Sequence, residues 1–205
     1  MNAFAEQVFQ RFGRVDIVVN NAGVAYTDPV EKADLQNMHW LMNINFWGVV
    51  HGCRAFLPYL RQQPEASLVN ISSIFAMVSY PTQAIYNAAK AAVRGFSDAL
   101  RIELRDSGVT LTCVHPGGVK TNIVRNARIG DLSMVADNAQ DYSADFDKVA
   151  GSTPEQAAAA IVGAIKAKKT RLLIGVDARI LDWLYRLAPA RVSFWFDNLN
   201  RLGRK

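Results

Sequence analysis

Cysteine is scarce in this chain, with only Cys53 and Cys113 among 205 residues. Both fall in apolar runs, one helix-like and one strand-like, which excludes a disulfide framework. A reduced, buried role is predicted for them, and with it an intracellular, cytoplasmic compartment. Long hydrophobic runs are missing too. No stretch approaches the roughly 18 consecutive apolar residues of a membrane span, and no charged-then-apolar leader precedes the first helical stretch. Histidine is equally sparse. His39, His51 and His115 are far apart with no Cys or carboxylate at ligand spacing, so they read as structural and no catalytic metal is predicted. The chain also has no G-x-S-x-G elbow, which argues against a serine hydrolase.

What the chain does have is apolar residues at half of its positions. That is enough for the core of one α/β domain over residues 1–205, on the usual allowance of about 100 to 200 residues per domain. The net charge of +5 is unevenly spread, because Lys166 to Lys205 carries ten Lys and Arg against three Asp. No recognition motif accompanies this basic end, and no nucleic-acid partner is predicted. The end is also aromatic, and Ile180, Trp183, Leu184 and Leu187 follow helical spacing. The tail at 177–205 is therefore predicted to be helical. It either packs over the domain or against a neighbouring subunit, or makes peripheral contact with a membrane as an interfacial helix.

Three short, β-branched runs end in polar or glycine-containing turns. Asp16 to Val19 leads into Asn20-Asn21-Ala22-Gly23, Ser67 to Ile71 into Ser72-Ser73, and Val109 to Val114 into His115-Pro116-Gly117-Gly118. Such runs suit parallel strands buried on both faces. Helical stretches are predicted between them, at Val30 to Leu60 with a break near Asn43 to Asn45, and at Gln83 to Asp106 closed by Gly108. Another is predicted at Pro154 to Lys168, capped by Thr153, followed by a last strand at Arg171 to Gly175. In open α/β sheets ligands sit beyond the carboxyl ends of the strands, so the polar turns gather on one edge. Gly48 and Gly52 lie inside an apolar helical stretch and read as close helix packing.

Tyr86 and Lys90 stand one helical turn apart, thirteen residues after Ser73. A phenol has an unperturbed pKa of about 10 and is a poor acid at neutral pH. A residue four places on lies on the same helix face, about 5 to 6 Å away at Cβ. Lys90 is thus placed to lower the phenol's pKa, and a drop of roughly three units requires about 4 kcal/mol of differential stabilisation.

In order and spacing, Asn20-Asn-Ala-Gly23, Asn45-Phe-Trp-Gly48, Asn70-Ile-Ser-Ser73, Tyr86-x-x-x-Lys90 and Pro116-Gly117-x-x-x-Thr121 resemble the short-chain dehydrogenase/reductase family. The resemblance implies a Rossmann-like doubly wound parallel sheet and an NAD or NADP cofactor. It implies Tyr86 as general acid/base, with Lys90 lowering its pKa and holding the nicotinamide ribose. Ser73 would orient the substrate oxygen, and Asn45 would anchor a water in the proton relay. By the same resemblance Asn20, Ala22 and Gly23 wall the adenosine and ribose, while Pro116, Gly117, Val119 and Thr121 surround the nicotinamide. Ala76 and Ala89 depart from the usual Gly and Ser, and neither removes a reacting group.

The family opens with a strand and a T-G-x-x-x-G-x-G loop whose amides approach the pyrophosphate. This sequence has no such loop, and Met1 to Phe12 reads as the helix before the Asn-Asn-Ala-Gly strand. The fold is therefore expected to be N-terminally truncated, with its first strands missing and the Asp16 to Val19 strand at a sheet edge.

The expected function is an NAD(P)-dependent oxidoreductase. It would move a hydride between the nicotinamide and a small-molecule carbonyl or secondary alcohol, while Tyr86 exchanges the proton. Ile74, Phe75, Met77, Val78, Tyr80 and Pro81 follow Ser73 directly and point to a lipophilic substrate. The irregular segment 119–153 is expected to act as a substrate lid. By resemblance, the Asn45 to Leu60 and Gln83 to Asp106 helices would pair subunits into a homodimer or homotetramer, with Val49, Val50, Phe56, Phe96 and Leu100 as the apolar patch. The alternative is a non-catalytic fragment or pseudoenzyme that acts through subunit association.

Overall fold

The computed structural model describes residues 1–202, and Gly203 to Lys205, the end of the expected tail, lie outside the described residues. In chain order the elements begin with α1 (Asn2–Phe12), β1 (Ile17–Asn20), β2 (Tyr26–Thr27), α2 (Leu35–Met42) and a π-helical turn (Asn43–Trp47). They continue with α3 (Gly48–Leu60), β3 (Ala66–Ile71), a 3₁₀ turn (Ile74–Ala76), α4 (Ala84–Glu103) and β4 (Val109–Pro116). The last are β5 (Arg128–Ile129), α5 (Ala139–Val149), α6 (Pro154–Lys166), β6 (Arg171–Ile174), α7 (Val176–Leu187) and α8 (Val192–Leu202).

Among the described residues the main sheet has four parallel strands in the order β1-β3-β4-β6. Side chains alternate across a strand, so successive residues of β3 serve two different cores. Leu68 joins Leu111 beneath α3 and α4, together with Cys53, Phe56, Val93 and Leu100. Val69 turns the other way and meets Val114, Ile174 and the apolar side of α6. Helices cover both faces of the parallel sheet, as in a Rossmann-like doubly wound fold. Both cysteines are free and buried. The cap predicted at Thr153 forms, and the structure completes it as a capping box in which Gln156 Oε1 accepts the Thr153 amide.

Five expectations are corrected by packing. The helix expected from Val30 begins at Leu35, because the Asp34 carboxylate accepts the Gln36 amide and stops the helix there. Its break at Asn43 to Asn45 is a widened π turn rather than an interruption. Gly108 does not cap α4, which ends at Glu103; a side chain at Gly108 would collide with the Pro64 carbonyl. Of the two glycines read as close packing, only Gly52 is crowded, against the Asn20 amide, whereas Gly48 has room. The proposed subunit patch is largely internal: Val49, Val50, Phe56 and Leu100 are buried within this chain and Phe96 is half-buried.

β1 lies at one edge of the sheet, with Ile17 and Val19 exposed. β6 forms the opposite edge and runs through Gly175 directly into α7. No helix among the described residues is long and apolar enough to cross a membrane.

Candidate active site

The carboxyl ends of β1, β3 and β4 deliver Asn20 to Gly23, Ser73 and Pro116 to Thr121 to one edge, and the first turns of α4 add Tyr86 and Lys90. Ser73 is buried in extended backbone, and its Oγ accepts the Phe75 amide at 3.1 Å, capping the 3₁₀ turn. The same hydroxyl interacts with the half-buried Tyr86 phenol. Behind it the buried His115 holds Nδ1 3.2 Å from the Ser73 carbonyl. Burial pushes this imidazole down to about 4, so it is neutral near pH 7 and can serve only as a hydrogen-bonding brace.

Lys90 is 3 % exposed, and its Nζ donates to the Ile71 carbonyl at 3.0 Å. Burial lowers its pKa to about 8, leaving it mostly charged at neutral pH. Its ammonium stands over the Tyr86 ring, 5.7 Å from the centroid. The phenol is not a stronger acid for it. Burial pushes Tyr86 up to about 12, and the Ser73 hydrogen bond opposes this without overcoming it. The expectation of a lowered phenol is therefore corrected for the chain by itself, because desolvation disfavours the phenolate.

Two other residues of the motifs spend their side chains on the protein itself. The Asn45 amide is fully buried and exchanges two bonds with Val24, accepting from its N–H at 2.8 Å and donating to its carbonyl at 2.9 Å. This ties the Ala22 to Val24 loop to the π turn, so the Asn45 side chain shapes the loop. The Asn20 side chain turns into the sheet, donating to Asn70 Oδ1 at 2.8 Å, and Asn70 in turn donates to Ser97. Ala22 and Gly23 remain exposed at the edge, and an atom added at Gly23 would stand 3.6 Å from Lys90 Nζ.

The Pro116–Thr121 loop is held by a carboxylate that sequence reasoning missed. Asp177, at the start of α7, accepts the Gly118 amide at 2.7 Å, and any side chain at Gly117 would run into the same carboxylate. This accounts for Gly117, while a side chain at Gly118 would press on the Ala150 backbone. Asn87, beside the catalytic candidate, was also missed. Its amide donates to the carbonyls of Phe75 and Val78 at 2.7 and 3.0 Å, pinning the apolar wall after Ser73. Its place inside Tyr86-Asn-Ala-Ala-Lys90 was the available signal. A third group had none: Gln83 donates to Thr27 Oγ1 at 2.7 Å and to the Tyr142 hydroxyl of α5 at 3.0 Å. Gln83 precedes Tyr86 by three residues, so this polar group lies one turn from the phenol on the same face.

With this geometry in place, residues 1–131 match the short chain dehydrogenase family model. The chain belongs to that family. It is 41 % identical over 188 residues to SadH of Mycobacterium tuberculosis, named as an oxidoreductase, covering 90 % of this chain and 67 % of SadH. It is 36 % identical over 141 residues to a 3-ketodihydrosphingosine reductase of Bacteroides thetaiotaomicron, covering 69 % of this chain and 51 % of the reductase. A short chain dehydrogenase/reductase of Burkholderia phymatum, solved in complex with NAD, superposes with a TM-score of 0.71 at 25 % identity, over 84 % of this chain and 65 % of that one. The chain thus spans from about half to two thirds of the length of these proteins.

Proposed function

We propose that this chain carries the proton-transfer and substrate-orienting half of an NAD(P)-dependent oxidoreductase acting on a lipophilic ketone or secondary alcohol. The observation that carries the reading is the meeting of Ser73, Tyr86 and Lys90 at one sheet edge, with the phenol protonated at neutral pH. A protonated phenol donates: in the reductive direction Tyr86 gives its proton to the carbonyl oxygen as that oxygen gains charge, and Ser73 holds the oxygen in place. The bound nicotinamide supplies and accepts the hydride. Its fit rests on donors and space in this chain. The Ile71 carbonyl takes one of the three Lys90 N–H bonds, which leaves the ammonium able to hold ribose hydroxyls, and Gly23 beside it brings no side chain into that space. The Asp177-braced loop Pro116, Gly117, Val119 and Thr121 walls the nicotinamide.

Support for a lipophilic substrate comes from Phe75, half-buried and edge-on to the Tyr86 ring with centroids 6.2 Å apart. Ile74, Met77 and Val78 are buried behind it against Ala178, Leu181 and Val192 of the tail helices, and Phe196 packs edge-on against both Phe75 and Tyr80. The reading extends to segment 119–153 as a lid tied down through Tyr142, to a cytoplasmic location, and to a homodimer or homotetramer. The exposed Trp47 and Ile102, not the buried residues named above, are the apolar groups available on the π turn and α4 for such contact. The test is oxidation of NADH and NADPH with a graded series of ketones. Turnover that rises with hydrophobicity and vanishes in Tyr86→Phe is expected; a preference for phosphorylated or carboxylated substrates would sink the substrate class.

A further inference from the structure

The tail helices have two contrasting sides. Inward, Ala178 and Leu181 of α7 and Val192 of α8 are buried in one cluster with the wall after Ser73. Because both inner faces meet the same cluster, both outer faces turn away from the domain. On α7 that outer face exposes Ile180, Trp183 and Leu187, by 53, 61 and 64 %, and their spacing of three and four residues makes one stripe. On α8 it exposes Phe194, Trp195 and Leu199.

The charges are sorted in the same way. Arg179, Arg186 and Arg191 are exposed. The acids of α7 face inward, Asp177 on the Gly118 amide and Asp182, 6 % exposed, on Arg171 and Arg186. The outer surface therefore combines aliphatic and aromatic side chains with arginines. The strand edge at β1 is on the far side of the sheet from β6 and α7.

We propose that α7 and α8 form a docking surface for an anionic lipid bilayer, with Trp183, Leu187 and Phe194 entering the headgroup boundary and the arginines meeting lipid phosphates and carboxylates. Tryptophan and arginine beside an aliphatic stripe are the composition of an interfacial helix. Docking here sets the apolar wall, backed by Phe196 and Val192, next to the membrane in which lipophilic substrates dissolve.

The experiment is co-sedimentation of the 205-residue chain with vesicles of phosphatidylcholine alone and of phosphatidylcholine mixed with phosphatidylserine. Binding to the mixed vesicles, weakened by salt, is expected. Trp183→Ser combined with Leu187→Ser should remove it while the far-ultraviolet circular dichroism stays unchanged. Arg179→Glu and Arg191→Glu should each lower partitioning by at least about fivefold, the equivalent of roughly 1 kcal/mol per basic residue. Three results would overturn the proposal: no sedimentation with either vesicle, undiminished binding in the Ser variants, or a lipid-independent self-association that those variants abolish, which would make the face a subunit contact. The assay uses neither cofactor nor ketone, so its failure leaves the oxidoreductase reading standing.

Discussion

The ammonium of Lys90 lies over the ring of Tyr86, 5.7 Å from its centroid, and the phenol beneath it is nonetheless a weaker acid than a free tyrosine. Two desolvations explain this. Burial disfavours the phenolate of Tyr86 and the ammonium of Lys90 alike, so the two groups move apart in pKa, Tyr86 up from 10.0 to about 12 and Lys90 down from 10.5 to about 8. The pair as it stands rests protonated at neutral pH. Taking a proton requires an added positive charge, which an oxidised nicotinamide would bring.

Removing the phenol should therefore stop turnover without emptying the site. In a catalytically competent form of the protein, Tyr86→Phe is expected to lower kcat by about 10²- to 10⁴-fold, with cofactor affinity, read by fluorescence titration, nearly unchanged. A kcat within a few-fold of wild type would overturn the role of Tyr86.

Lys90 should write its own limb into the pH profile. Its ammonium is lost as pH rises through about 8, so cofactor binding is expected to weaken above that value. Lys90→Met should bind more weakly throughout and lack the limb. Parallel profiles for the two proteins would contradict the cation's role.

His115 makes stability sensitive to acid. Its folded pKa of about 4 lies below the ordinary 6.5, so the unfolded chain binds more protons between those values and stability falls as pH drops through that window. At about 1.36 kcal/mol per unit the loss amounts to roughly 3 kcal/mol. Urea unfolding at pH 7 and near pH 4.5 should show it, and His115→Gln should flatten the difference.

Within the proposed lid, α5 is held by polar contacts more than by burial. None of the residues of α5 is buried, while the Tyr142 hydroxyl accepts from Gln83 at 3.0 Å. Tyr142→Phe should raise KM and speed amide exchange across Ala139–Val149, while global stability changes by only about 1 kcal/mol. Unaltered exchange in α5 would show that another contact holds the segment.

Asn87 carries a larger structural load. Asn87→Ala would leave the buried carbonyls of Phe75 and Val78 without their donor, at a cost of about 1 to 3 kcal/mol each. The wall after Ser73 should loosen, so discrimination among ketones of different size should fall along with the thermal midpoint. A destabilised variant with unchanged discrimination would confine Asn87 to stability.

The sequence by itself determined what depends on near neighbours. Strand runs such as Ser67 to Ile71 show in their β-branched composition, the Thr153 cap in its three-residue spacing to Gln156, and the placement of Tyr86 and Lys90 on one face in a single helical turn. The motifs at the strand ends also located the edge where the site gathers, because a parallel sheet brings its carboxyl ends together. Tertiary structure alone decided where each polar group spends its hydrogen bonds and how far each is desolvated. Asn20 and Asn45 stand in the motif, yet their amides are consumed by Asn70 and Val24. Gln83 meets Tyr142 across fifty-nine residues, and Asp177 reaches Gly118 across another fifty-nine. The acidity of Tyr86 belongs to the same class, since it follows from the volume of protein packed around the phenol, a property that no local spacing encodes.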